Sequence, residues 1–206
     1  MPCMDTFLTD FFGDLLLGCI LFALIMATVF ITKRFKNVWI NRKLIHLSVS
    51  PAILAYMYVF KEPYVFFMFG VLFSFILIFP HYRAKELTWF QEKNNYGEVF
   101  FCISFSILSI LFWGSTRILT GVAMLFMSIG DSVTGMVRSR FLKKRGKHWT
   151  GTIAMLITCL IIGFIFLGYK GIVLALIATV AEYQPWLDDN LSVPMVTMIA
   201  GLLLPL

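Results

Sequence analysis

Apolar runs close to the length of a bilayer crossing recur along the chain, parted by short polar connections, and nothing else in the sequence constrains the fold as much. A helix rises 1.5 Å per residue, so crossing a hydrocarbon core of about 30 Å takes about 20 apolar residues. Residues 11–32, 44–60 and 63–80 approach that length, and 99–114 is slightly short. Residues 118–129 form a half-length run, 152–168 a sixth, 172–181 a second short one, and 193–206 an eighth. Short runs ending directly in polar residues predict helices that stop inside the protein, where a cavity can hydrate them. The expected fold is all-α, a polytopic integral membrane protein with about seven to eight transmembrane helices, two of them short.

Composition excludes the soluble alternative. The 206 residues are 60% apolar and 14% charged, against roughly 45–50% and 25% in soluble domains. No Ser-, Gly- or Pro-rich linker divides the chain, so one membrane domain over residues 1–206 is expected. Asp5 and Asp10 precede the first run where a cleaved signal would carry basic residues, which predicts that the first segment is retained. Cys3, Cys19, Cys102 and Cys159 are scattered without metal-ligand spacing, so packing is their expected role.

The net charge of +6 is distributed unevenly. Lys33, Arg34, Lys36, Arg42 and Lys43 follow the first run, Arg83, Lys85 and Lys93 the third, and Arg138, Arg140, Lys143, Lys144, Arg145 and Lys147 the fifth. Only Lys61, Arg117 and Lys170 of the 17 basic residues fall elsewhere. Basic residues in alternate short connections mark the cytoplasmic side of a membrane, so no nucleic-acid partner is needed to explain them. The connection after the seventh run breaks the pattern. It holds Glu182, Asp188 and Asp189 and no basic residue, yet the span count puts it on the basic face. Acids there make sense as ligands of a divalent cation whose other ligands are phosphates.

Several constellations on that face have chemical potential. Arg42, Lys43 and His46 share one face if helical, and His46 lies inside the apolar boundary, where ionisable groups are costly and usually functional. Head-group anchoring is the simpler reading of the two cations. Glu98 follows the Asn94–Gly97 turn and is either a favourable first-turn acid or an inward-facing base or ligand. Asp131, Thr134, Gly135 and Arg138 form one helical stripe beside Ser132, the parts of a Mg²⁺-phosphate site; an internal Asp–Arg pair is the structural alternative. Lys147 ends a basic cluster followed by Thr150, Gly151 and Thr152, whose hydroxyls and free N–H groups at a helix start suit phosphate and equally an N-cap. Asp188, Asp189 and Asn190 offer oxygens to a hard cation, or form a surface turn.

In order, Arg42-Lys43-x-x-His46, Gly97-Glu98, Gly130-Asp131-Ser132, Lys147-x-x-Thr150-Gly151-Thr152 and Glu182…Asp188-Asp189-Asn190-x-x-Val193-Pro194 resemble the blocks of the polyprenol kinase family. That family contains dolichol, phytol and CTP-dependent diacylglycerol kinases and is related to CDP-lipid synthases. The resemblance runs from about residue 42 to residue 194. Thr150 and Thr152 stand where the family usually has Ser, which preserves hydroxyl chemistry, and the short chain resembles a minimal form.

The resemblance implies a CTP-dependent kinase acting on a polyprenol- or dolichol-like lipid alcohol. Asp131, Asp188, Asp189 and Asn190, with Glu98 a further candidate ligand, would then hold Mg²⁺. Arg42, Lys43, Ser132, Thr134, Arg138, Lys147, Thr150, Gly151 and Thr152 would meet the nucleotide. His46 or Glu98 would accept the hydroxyl proton, and the sequence leaves both open. The expected setting is a plasma or endoplasmic reticulum membrane with the site facing the cytoplasm. The alternatives are a cytidylyltransferase releasing pyrophosphate and, from another class, a small transporter.

Overall fold

A computed structural model describes residues 2–142 and 146–204, with side chains from Thr6 onward. Lys143, Lys144 and Arg145 of the basic cluster lie outside the described residues, as do the side chains of Cys3 and Asp5. Every regular element among the described residues is helical: α1 (Pro2–Thr32), α2 (Val38–Ser48), α3 (Ser50–Tyr58), α4 (Tyr64–Tyr82), α5 (Gly97–Leu111), α6 (Arg117–Leu125), α7 (Asp131–Phe141), α8 (Trp149–Tyr183) and α9 (Asp189–Leu203).

Four helical segments are long and apolar enough to cross a membrane: Thr6–Thr32, Tyr64–Tyr82, Gly114–Phe141 and Trp149–Tyr183. Their surroundings differ. The segment through α6 and α7 is 83% buried, whereas the other three are only 22–28% buried. Helices that expose this much apolar surface are suited to an apolar surrounding such as lipid, and the buried one is the hub of the bundle. Val122, Met124, Phe126 and Met127 have no more than traces of exposed surface there.

The hub corrects one expectation. The run at 118–129 does not end a helix inside the protein. A short turn at Gly114–Thr116, α6, a π-helical stretch at Phe126–Gly130 and α7 form one continuous segment reaching Phe141. Its polar continuation tolerates burial because Asp131, Ser132, Thr134 and Arg138 all find partners.

Glycine and proline set the other breaks. At Gly168 (φ 57, ψ −135) the backbone of α8 leaves the helical region for one that side chains disfavour. Gly163 and Gly171 pack so closely that a Cβ on either would strike the other's backbone. Eight residues along a straight helix span about 12 Å, so α8 is a hairpin of two arms, 149–167 and 169–183. Pro51 stands in the first turn of α3, where a missing N–H is harmless. Pro194 lies inside α9 and cannot donate to the Asn190 carbonyl four residues earlier. The Ser104 hydroxyl of α5 supplies that hydrogen bond at 2.8 Å. This joins α5 to the first turn of α9.

Candidate functional site

The site grows from the π-helical stretch. An extra residue per turn re-aims the side chains that follow it, and such stretches often occur at functional positions. Ser128 Oγ lies 2.9 Å from Ser50 Oγ and donates to the His46 carbonyl at 2.7 Å. One turn on, Ser132 donates to the Lys43 carbonyl at 2.9 Å. Two hydroxyls on one segment thereby fasten two carbonyls of α2. That registration puts Lys43 and His46 over Asp131, the first residue of α7.

Asp131 is 3% exposed. Its Oδ2 receives the Lys43 ammonium and lies 3.6 Å from His46 Nδ1. His46 stacks on Phe101 with ring centroids 4.2 Å apart, and neither ring nitrogen has a hydrogen-bond partner. Gly135, one turn along α7, leaves room for the Lys43 stem that a Cβ would strike.

Two further ion clusters flank this pair. Arg42 lies 3.6 Å from Glu98 and 3.8 Å from Glu92. Glu98 Oε1 also faces His81 Nε2 at 2.7 Å and accepts from Gln91 Nε2 at 3.1 Å. On the other flank, Arg138 grips Glu182 with two bonds of 2.6 and 3.1 Å, and it reaches Thr152 Oγ1 at 3.3 Å. Lys147 bonds Asp189 at 2.8 Å, the Glu182 carboxylate at 3.4 Å and the Glu182 carbonyl. Glu182 has no exposed surface. Gly97 packs against both Arg42 Nη2 and Asn190 Nδ2, which brings the two flanks together. The connections that the sequence placed on one face meet here, at one end of the bundle.

The expected phosphate cations and expected acids are therefore paired with each other. Such pairs are costly to bury and costly to split. Other expected residues are occupied differently. Thr134 donates to the Gly130 carbonyl of its own helix at 2.8 Å. Thr150 shares a 2.8 Å bond with His148, and Gly151 packs against the Arg138 stem. Asp188 caps α9, accepting from the Asn190 backbone at 2.9 Å and from Asn190 Nδ2 at 2.7 Å. Asn190 Oδ1 is buried without a partner. Among the described residues, no three His, Cys, Asp or Glu side chains form a metal-holding group.

Three participants were not expected from the sequence. His81, Gln91 and Glu92 position Glu98 and Arg42, with Gln91 also donating to the Leu77 carbonyl at 2.9 Å. His81 had the same signal as His46, an ionisable residue at the inner end of an apolar run. Gln91 and Glu92 sit in a polar connection and carried no such signal.

An apolar cleft ends on this site. Its walls come from α1, α2, α3, α4 and α5, and it is rich in phenylalanine, including Phe22, Phe69, Phe73, Phe101 and Phe105. Its ionisable lining residues are Arg42, His46, Glu98 and the thiol of Cys102. Arg42, His46 and Glu98 all belong to the charged end of the bundle. At that end His46 Nε2 and Glu98 Oε2 are buried without hydrogen-bond partners.

Comparison with known proteins gives two informative relatives. The chain is 33% identical to a probable chloroplastic phytol kinase of Triticum aestivum over an alignment of 139 positions, which covers 55% of this chain and 46% of the relative. It is 31% identical to probable phytol kinase 1, chloroplastic, of Oryza sativa subsp. japonica, covering 55% of this chain and 43% of that one. The chain thus spans less than half the length of either relative in these alignments. No family model matches it, and no solved structure does.

Proposed function

We propose, from the premise that this chain is related to the polyprenol and phytol kinases, that it is a membrane-embedded kinase of lipid alcohols. The observation that carries this reading is the apolar cleft ending on the partnerless His46 Nε2, next to a group of buried cations. A lipid alcohol needs an apolar path for its tail and a polar end for its hydroxyl. Phosphoryl transfer needs positioning and positive charge on the triphosphate. The cleft and the adjoining charged end of the bundle support both.

In this reading the tail lies in the cleft and the hydroxyl donates to His46 Nε2. His46 takes the proton as the hydroxyl oxygen bonds to the γ-phosphorus of the nucleotide. The bond from that phosphorus to the bridging oxygen breaks, and a nucleoside diphosphate leaves. Phe101 holds the ring by stacking, and Asp131, 3.6 Å from Nδ1, stabilises the imidazolium by its charge. Of the two candidate bases His46 is favoured, because Glu98 is already held by Arg42, His81 and Gln91. Arg42, Lys43, Arg138 and Lys147 bind the phosphates, exchanging their carboxylate partners for phosphate oxygens, and Thr152 and the start of α8 border that group.

The oxygens of Asp131 and Asp189 and the orphaned Asn190 Oδ1 are donors of the kind Mg²⁺ takes. These residues would hold the ion, which when bound neutralises charge on the triphosphate. Asp188 serves it indirectly by fixing Asn190. CTP is the donor implied by the resemblance. The eight-pass topology counts α2 with α3 as one crossing, the continuous α6–α7 segment as one, and the arms of α8 as two. It sets the charged end on the cytoplasmic side, following the distribution of Lys and Arg.

The test is to incubate the purified protein with lipid alcohols and each of the four ribonucleoside triphosphates. Lipid monophosphate with nucleoside diphosphate is the expected result. Pyrophosphate release would identify a cytidylyltransferase instead, and no lipid product from any pairing would remove both readings.

A further inference from the structure

We propose that the face of α1 bearing Ile25, Leu21 and Gly18 sets the length of lipid tail that the site accepts. The inference rests on the lipid-alcohol kinase reading and goes beyond it by naming the residues that select the substrate.

The cleft has a polar end and an apolar end. Val29 of α1 and Leu77 of α4 line it near the charged site, and Gly18 and Phe66 line it farthest from that site. Eleven residues separate each pair, so both helices give a depth of about 16 Å. Phe60 and Phe66 are 2% and 8% exposed and lie at the far end with ring centroids 6.3 Å apart. Gly18 is crowded there by Phe69 and Val65. An extended chain advances roughly 1.2 Å per bond, so the cleft takes about 13 main-chain bonds. That is three to four prenyl units in a single chain.

The occupant is fixed by the other end. A chain of that length bearing a terminal hydroxyl brings its one polar group to His46 Nε2 and Glu98 Oε2, both buried and lacking hydrogen-bond partners. Leaving such atoms unsatisfied is costly, and a hydroxyl can donate to either. A much longer prenol must leave most of its tail outside.

Positions along α1 then act as graduated stops. Measured from Val29, Ile25 lies about 6 Å deep and Leu21 about 12 Å deep. Enlarging either side chain shortens the cleft from that depth.

The experiment measures kcat/KM for prenols of two, three, four and more units with the purified full chain in detergent, for wild type, Ile25→Phe and Leu21→Phe. The outward-facing Leu16→Phe serves as control, since Leu16 is 65% exposed. The ratio of four-unit to two-unit turnover is expected to fall about tenfold or more in Leu21→Phe, a size set by the discrimination apolar pockets achieve. The decline should begin at shorter chains in Ile25→Phe, and Leu16→Phe should keep the wild-type ratio. A photoreactive four-unit prenol should label the 18–29 peptide of α1, a readout that needs no turnover. Active variants with an unchanged length profile, or labelling confined to other helices, would overturn the inference while leaving the kinase reading in place. A wild-type protein that binds the prenol in the cleft but phosphorylates nothing would overturn the kinase reading instead.

Discussion

His46 presents Nδ1 to Asp131 Oδ2 at 3.6 Å and leaves Nε2 buried without a hydrogen-bond partner at the head of an apolar cleft. An imidazole backed by a carboxylate on one nitrogen and open on the other can take a proton and keep the resulting charge stable. The arrangement depends on two serine hydroxyls from the π-helical stretch, which fix the α2 backbone over α7.

His46→Gln should lower kcat about 100-fold or more, the scale of a lost general base, with little change in KM for the nucleotide. Steady-state kinetics in detergent would measure this. Near-wild-type kcat would transfer the role to Glu98, and Glu98→Gln would then be the variant that loses turnover.

Arg138 and Glu182 form a buried two-bond pair. Removing one member leaves an uncompensated buried charge, which costs about 3–5 kcal/mol. Glu182→Ala should therefore lower the thermal midpoint in detergent strongly. Arg138→Lys should raise the nucleotide KM, because an ammonium cannot reproduce the planar fork. An unaltered midpoint in Glu182→Ala would show that the pair does not hold α7 to α8.

Ser104 serves a carbonyl that Pro194 cannot. Ser104→Ala should cost about 1–3 kcal/mol, the penalty for an unsatisfied buried acceptor. Pro194→Ala restores the helical donor, so the double variant should recover much of that loss. Equal destabilisation by Ser104→Ala in both backgrounds would rule out the compensation.

Chelation should abolish turnover, and added Mg²⁺ should restore it. Asp131→Asn and Asp189→Asn should each raise the Mg²⁺ concentration needed for half-maximal rate, or remove activity, while the protein stays folded by size exclusion. Full activity in EDTA would dismiss the proposed metal site.

Local pattern carried much of this architecture into the sequence. A run of apolar residues must be buried wherever it occurs, so helical class and lipid-facing length follow from neighbours along the chain. The stripe of Asp131, Thr134, Gly135 and Arg138 was legible for the same reason, since helical periodicity puts them on one face. His46 was legible because an ionisable group within an apolar boundary requires an explanation.

Partner choice was decided only in three dimensions. The contacts of Glu98 with Arg42, of Glu182 with Arg138 and Lys147, and of Asp189 with Lys147 link helices far apart in sequence. Any carboxylate on that face could have met any cation there. Periodicity also missed that the 118–129 run continues to Phe141, because hydropathy falls where the buried polar residues begin, while the backbone hydrogen bonds do not. The break at Gly168 was legible as the end of the 152–168 run, whereas the cleft depends on how separate helices pack. Chain-local chemistry specifies what must be buried, and the close packing of distant segments decides against what.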